Sequence, residues 1–149
     1  MLYDVREIRP NECEALLHLY TELHNNSMPA DKKRVAEVWQ TIQNDPNHHI
    51  IVVMDGEKMI SSCVCVIIPN LTRGIRPYAL IENVITSEGY RGRGLATACL
   101  QYAKDIAQKE HCYKIMLLSG SRSEATLQFY EHAGYNRKDK TAFIQWLDE

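Results

Sequence analysis

Apolar positions along this chain recur with two different periods, and the places where one period gives way to the other outline its elements. Leu2 to Ile8 reads as a strand ending at Pro10. From Asn11 onward Ala15, Leu16, Leu19, Tyr20 and Leu23 fall at helical spacing. A polar break, His24-Asn25-Asn26-Ser27-Met28-Pro29, follows. Asp31 then offers an N-cap for a second helix, with Val35, Val38, Trp39 and Ile42 as its buried stripe, stopped by Asn44-Asp45-Pro46-Asn47. His49 to Met54 is rich in β-branched residues, Asp55-Gly56 is a hairpin signal, and Lys58 to Ile68 is the return strand. A loop, Pro69 to Pro77, precedes a strand from Tyr78 to Thr86.

The clearest helix comes next and runs to about Lys109. Leu95, Cys99, Tyr102 and Ile106 line one stripe, Ala96, Leu100, Ala103 and Ala107 lie beside it, and Thr97, Gln101, Lys104 and Gln108 face away. Lys114 to Leu118 reads as a strand and Ser123 to Ala133 as a shorter helix ended by Gly134 at C′. Thr141 to Leu147 has the pattern of a last strand. The predicted order is β-α-α-β-β-β-α-β-α-β. Its late strand–helix–strand steps require parallel pairing and its early hairpin antiparallel pairing, so the sheet is expected to be mixed.

Between the strand ending at Thr86 and the long helix stands Ser87-Glu88-Gly89-Tyr90-Arg91-Gly92-Arg93-Gly94-Leu95-Ala96-Thr97. Gly92 and Gly94 leave the backbone N–H groups from Arg93 to Thr97 unobstructed. The helix dipole adds roughly half a positive charge at that end. Strand, glycine turn and helix N-terminus in this order make a cradle for a diphosphate. Spacing narrows the choice. The dinucleotide fingerprint is G-x-G-x-x-G, whereas Gly89 to Gly94 reads G-x-x-G-x-G, and the G-K-S/T of a Walker loop is absent.

Composition bounds the setting. With 149 residues, 45% of them apolar, the chain suits a single domain spanning residues 1–149. A formal charge of −2 disfavours a dedicated nucleic-acid binder. Neither a run long enough for a membrane span nor a secretory-type leader is visible. The five cysteines (Cys13, Cys63, Cys65, Cys99 and Cys112) lack paired zinc spacing, so no metal is expected. Cys63 and Cys65 should share one strand face. Reduced thiols fit a cytoplasmic protein.

Arg91, Gly94 and Ala96 occupy the fixed positions of the R/Q-x-x-G-x-G/A signature, and this segment resembles that of the Gcn5-related N-acetyltransferases (GNAT). About 40 residues later, Gln128-Phe129-Tyr130-Glu131-His132-Ala133-Gly134-Tyr135 is similar to the family's F/L-Y-E-x-x-G-F/Y segment. With the strand pattern, the resemblance covers most of residues 48 to 147. It implies an α/β (α+β) single-domain fold with about four helices, whose fourth and fifth strands splay apart to admit a pantetheine arm. It implies acetyl-coenzyme A as co-substrate, held by Gly92, Arg93, Gly94, Leu95, Ala96 and Thr97, with Arg91 either reaching a phosphate or bracing the loop. Main-chain groups of Val84, Ile85 and Thr86 would meet the pantetheine amides.

The implied reaction is attack of a primary amine on the thioester within a ternary complex. Deprotonating a lysine-like amine at pH 7 costs roughly 4.6 kcal/mol and an α-amine about 1.4 kcal/mol, so a base matters most for the more basic acceptors. Glu82 is the candidate base, on a strand face shared with Val84 and set among Leu80, Ile81 and Ile85. Tyr130 sits where the family often keeps a tyrosine near the sulfur. Full proton transfer from it to the thiolate is uphill by about 2 kcal/mol, so a hydrogen bond or later protonation is its expected role. His24, in the loop between the first two helices, is a second candidate base; His24, Asn83 and Arg73 are candidate contacts to the acceptor, Asn83 alternatively bridging strands.

Cys112-Tyr113-Lys114-Ile115, Phe129-Tyr130-Glu131 and Ile81-Glu82 are more weakly similar to the glucosamine-6-phosphate N-acetyltransferase branch, and Arg73, Arg76 and Lys114 offer charge for a phosphate. The chain departs from that branch at Leu118-Ser119-Gly120, where an acidic residue is usual, and at Asn83, where an aspartate would follow the glutamate. A small-molecule amine is the expected acceptor class, since the mild acidity disfavours a protein or tRNA acceptor. A coenzyme A-sensing module without turnover and an enzyme acting on a protein amine are the alternatives. The resemblance allows a homodimer; the residues themselves do not show one.

Overall fold

In a computed structural model the chain is described from residue 2 to residue 148. Five strands form one sheet in the order β1-β2-β3-β4-β5, comprising β1 (Asp4–Glu7), β2 (His48–Asp55), β3 (Lys58–Ile68), β4 (Tyr78–Thr86) and β5 (Ile115–Leu117). The first three pairings are antiparallel and β4–β5 is parallel, so the sheet is mixed as the connections require. Its helices are α1 (Cys13–Tyr20), α2 (Lys32–Asn44), α3 (Leu95–Lys109) and α4 (Glu124–His132).

Two apolar clusters lie on opposite faces of the sheet. On one, α3 buries Leu95, Cys99, Leu100, Ala103 and Ala107 against Ile51, Val53, Cys63, Cys65, Ala79 and Ile81. On the other, Leu16 and Leu19 of α1 join Ile50, Val52, Val64 and Ile85, with Trp39 and Ile42 of α2 packed on the outside. The helical stripes read from the sequence are those used, with one exception. Val38 is 39% exposed, because α2 lies at the edge of its cluster and buries no residue fully. Asp31 caps α2 through Arg34 N at 3.0 Å.

Local signals hold elsewhere too. Gly56 takes φ 60 in the β2–β3 turn. Beyond α4, the N–H of Gly134 (φ 104) donates to Glu131 O at 2.9 Å and that of Tyr135 to Tyr130 O at 3.0 Å, the paired bonds of a Schellman ending.

The strand expected over Thr141–Leu147 does not form. No described residue after Leu117 is in a strand, and no described residue after Ala107 is fully buried. The tail has the right alternation, but a strand needs a neighbour's N–H and C=O groups, and among the described residues no strand supplies them.

Candidate active site

The cradle is built where β4 runs out. Ser87 N donates to Ile60 O at 2.8 Å, and Tyr90 N to Ser87 O at 2.9 Å, folding Glu88–Tyr90 into a single 3₁₀ turn. Gly92 and Gly94 then adopt φ 75 and φ 78. A Cβ at either position would meet nothing within 4 Å, so glycine is needed there for backbone conformation rather than for space. Gly94 is also the N-cap of α3 and places no side chain over the helix end. The first-turn N–H groups of Leu95, Ala96 and Thr97 are thus left for an outside acceptor.

The arginines of this turn brace it. Arg93 donates to Tyr3 Oη at 2.9 Å and Gly89 O at 3.3 Å and lies 4.9 Å from the Tyr90 ring centroid. Tyr90 Oη in turn donates to Asp55 Oδ2 at 2.9 Å. Arg91 Nε donates to Thr86 O at 3.2 Å.

Upstream, β4 carries a bulge that the sequence pattern did not reveal. Its register with β3 shifts between Ser62↔Ile85 and Val64↔Glu82, and Asn83 takes φ 51. The inserted residue inverts the side-chain phase. Val84 consequently packs with the α3-side cluster and Ile85 with the α1-side cluster. Glu82 and Val84 therefore lie on opposite faces, contrary to the expectation from simple alternation. Glu82 is exposed rather than enclosed by its apolar neighbours, and among the described residues it has no ion-pair partner. The burial argument for it as a base fails; its position beside the bulge remains.

On the other side of β4, pairing with β5 covers only Ala79, Leu80 and Ile81. Among the described residues no strand neighbours that edge of β4 from Glu82 to Thr86, which is the splay the family resemblance implied. Ser61 holds the free stretch from beneath, with its Oγ donating to Ile85 O at 3.0 Å and 2.8 Å from Thr86 Oγ1. Val84, Ile85 and Thr86 thus lead from the bulge directly into the glycine turn.

Tyr130 comes from α4 and packs, half-buried, on the cluster that contains Val84, Cys63 and Leu95. Phe129 and Tyr135 meet its ring edge-on at centroid distances of 5.0 and 6.4 Å. Its hydroxyl has no hydrogen-bond partner among the described residues. Burial, and then the nearby Cys63, push the Tyr130 phenol above its ordinary value, so it stays protonated and able to donate.

Two of the expected acceptor contacts, Asn83 and His24, lie toward the α1 end. Burial pushes the Tyr20 phenol up to about 12, an upward shift that the nearby Asn83 side chain partly offsets. His24 is exposed in the following turn at φ 53. Two residues before it, Glu22 accepts from Ser87 Oγ and from Glu88 N, both at 2.9 Å. These bonds, that from Glu88 N being the stronger influence, hold its carboxyl below the usual range. Glu22 thereby ties the turn after α1 to the turn that follows β4. Nothing in its sequence context marks it, because its partners lie far along the chain.

Arg73 is not brought to this group. It stacks over Tyr113 at 5.5 Å, at the Tyr78 end of β4, and Lys114 lies 5.4 Å from the same ring. The cradle is at the other end of the strand, roughly 25 Å away at about 3.3 Å per residue. Arg76 is engaged by the carbonyls of His111 and Cys112 at 3.0 and 3.1 Å.

Comparison with known proteins agrees with this fold. A solved structure from Agrobacterium tumefaciens str. C58, provisionally named an acetyltransferase, superposes with a TM-score of 0.87 at 33% identity, covering 96% of this chain and 99% of that one. Glucosamine 6-phosphate N-acetyltransferase of Trypanosoma brucei brucei is 35% identical over 83 residues, 56% of this chain and 54% of the relative. N-alpha-acetyltransferase 30 of Saccharomyces cerevisiae (strain ATCC 204508 / S288c) is 34% identical over 90 residues, 60% of this chain and 49% of the relative. The chain thus spans about half the length of these two curated relatives. Residues 13–135, which include the bulged strand, the glycine turn and Tyr130, match the acetyltransferase (GNAT) family, and the chain belongs to it.

Proposed function

We propose that this protein transfers an acetyl group from acetyl-coenzyme A to a primary amine of a small molecule, by direct attack in a ternary complex. The observation that carries the reading is the uncapped N-terminus of α3 behind Gly92 and Gly94, reached along the unpaired edge of β4. The donor set there is backbone N–H and helix dipole, which suits a diphosphate. When bound, acetyl-coenzyme A supplies an activated thioester carbonyl.

The chain's own residues divide the remaining work. Leu95, Ala96 and Thr97 N–H groups hold the diphosphate, and the free edge from Val84 to Thr86 offers its main chain to the pantetheine amides. Tyr130 keeps its proton because of burial, and donates a hydrogen bond to the departing sulfur rather than surrendering the proton outright. Glu82, exposed beside the bulge, attracts a cationic amine and accepts its proton directly or through water. Asn83 and His24 border the acceptor.

A free amine without phosphate fits better than an amino-sugar phosphate, since Arg73 and Lys114 stand at the far end of β4 and Arg76 is engaged by carbonyls. A protein α-amine is the second reading, favoured by the similarity to N-alpha-acetyltransferase 30. The test is thiol release from acetyl-coenzyme A against a panel of polyamines, amino sugars, amino-sugar phosphates and N-terminal peptides. Turnover with the small amines supports the proposal. Turnover with peptides alone establishes the second reading, and tight coenzyme A binding without any turnover points to a sensor.

A further inference from the structure

Among the described residues three polar side chains are buried, those of Ser61, Ser62 and Ser87. Ser61 and Ser62 are neighbours on β3 with no exposed surface, and a buried hydroxyl is costly unless its hydrogen bonds are made. Both make them, to different parts of the fold. Ser62 Oγ donates to Ile51 O of β2 at 2.7 Å, within the middle of the sheet. Ser61 Oγ donates to Ile85 O of β4 at 3.0 Å and lies 2.8 Å from Thr86 Oγ1. Its single proton being given to Ile85, Ser61 accepts from the Thr86 hydroxyl, and it also accepts from Cys99 Sγ of α3 at 3.7 Å. The whole hydrogen-bonding capacity of the Ser61 hydroxyl is used.

Its partners stand where β4 has least other support. Among the described residues one edge has no strand beside it from Glu82 to Thr86, and on the other the bulge breaks the ladder between Ser62↔Ile85 and Val64↔Glu82. Only the short run Ser61↔Thr86 and Ser62↔Ile85 lies between the bulge and the glycine turn. At its end Ser87 N donates to Ile60 O at 2.8 Å. Ile85, two residues earlier, therefore also turns its N–H and C=O to β3, and Val84 and Thr86 turn theirs to the open edge. Arg91 Nε already occupies Thr86 O at 3.2 Å. The Thr86 N–H and both main-chain groups of Val84 are left for a ligand lying along that edge.

We infer that Ser61 is a positioning residue for coenzyme A: its hydroxyl fixes the Ile85 and Thr86 peptides and so aims the open-edge groups of β4 at the amides of the pantetheine arm. This rests on the reading above, in which the arm lies along that edge. Ser61 touches no part of the ligand and acts through β4. Alanine at this position removes three bonds from a stretch that the bulge has already loosened, so its peptides rock and the edge meets the arm out of line. The cradle keeps its shape, because the glycine conformations at Gly92 and Gly94 and the burial of Leu95 hold it independently. Ser62 is the internal comparison, equally buried but bonded away from the free stretch.

Calorimetry with two ligands tests this: coenzyme A, and adenosine diphosphate, which carries the diphosphate without the arm. Ser61→Ala should weaken coenzyme A about tenfold while adenosine diphosphate stays within about twofold. Ser62→Ala should cost comparable stability in urea yet leave both ligands within about twofold. Thr86→Val, which removes one of the three bonds, should weaken coenzyme A about threefold, and Thr86→Ser should restore it. This second pair decides the matter if Ser61→Ala does not fold. Undiminished coenzyme A affinity in Ser61→Ala, equal losses for the two ligands, or the same loss in Ser62→Ala would overturn the role of Ser61 and leave the diphosphate cradle standing. A wild-type protein that binds neither ligand overturns the cradle as well.

Discussion

The two halves of the site are held in very different ways. The donor half, β4 with the glycine turn and α3, rests on residues such as Ile81, Leu95 and Cys99 that have essentially no exposed surface. The half that supplies Tyr130 contains no fully buried residue among those described; α4 is anchored by half-buried Phe129, Tyr130 and Ala133 and by the Arg137 ion pairs. The cradle is therefore preorganised by the core. Tyr130, the group proposed to meet the sulfur, sits on the part of the molecule with the least local stability.

The largest expected effect is at the cradle. Gly94→Glu sets a carboxylate against the diphosphate and forces a side chain onto φ 78, which alone costs roughly 1–2 kcal/mol. Acetyl-coenzyme A binding by calorimetry should be lost, and retained affinity would remove the cradle assignment. Next comes a direct contrast of the halves. Ile51→Ala should lower stability in urea by about 3–4 kcal/mol and Leu127→Ala by only about 1 kcal/mol; equal losses would show that α4 is as firmly packed as the sheet.

Tyr130→Phe removes a single hydroxyl. We expect kcat to fall about tenfold while the acetyl-coenzyme A Kd stays within about twofold. An unchanged rate would leave Tyr130 as packing only. The smallest effect is at Glu22→Gln, roughly 0.5–1 kcal/mol once solvent screening of this exposed group is allowed for. Its folded carboxyl titrates below the ordinary value, so this stabilisation is complete above about pH 4.5 and fades as pH falls through the lowered value. Melting temperatures of the two proteins should accordingly differ at pH 7 and converge in acid.

The parts legible from sequence are those whose cause is local. The Asp31 cap, the turn at Gly56, Gly94 ahead of α3 and the Gly134 ending each depend on a few neighbouring residues, and each occurs where the pattern places it. The α3 stripe was readable because 15 consecutive residues repeat one face. Glu82 was misplaced because strand alternation assumes an unbroken register, and the bulge at Asn83 depends on pairing with β3. Glu22 was missed since Ser87 and Glu88 reach it across 65 and 66 residues.

What the sequence determined by itself was the elements as far as α4, the glycine turn ahead of α3 and the family, all properties of short segments with strong conformational preferences. Tertiary structure alone decided which face Glu82 occupies, which carboxylate clasps the cradle turn, that Arg73 stands apart, and that the apolar tail has no strand beside it. The physical reason is common to all four. Each depends on a partner supplied from elsewhere in the fold, and a pattern of apolar and polar positions specifies which side of an element seeks cover without specifying what covers it.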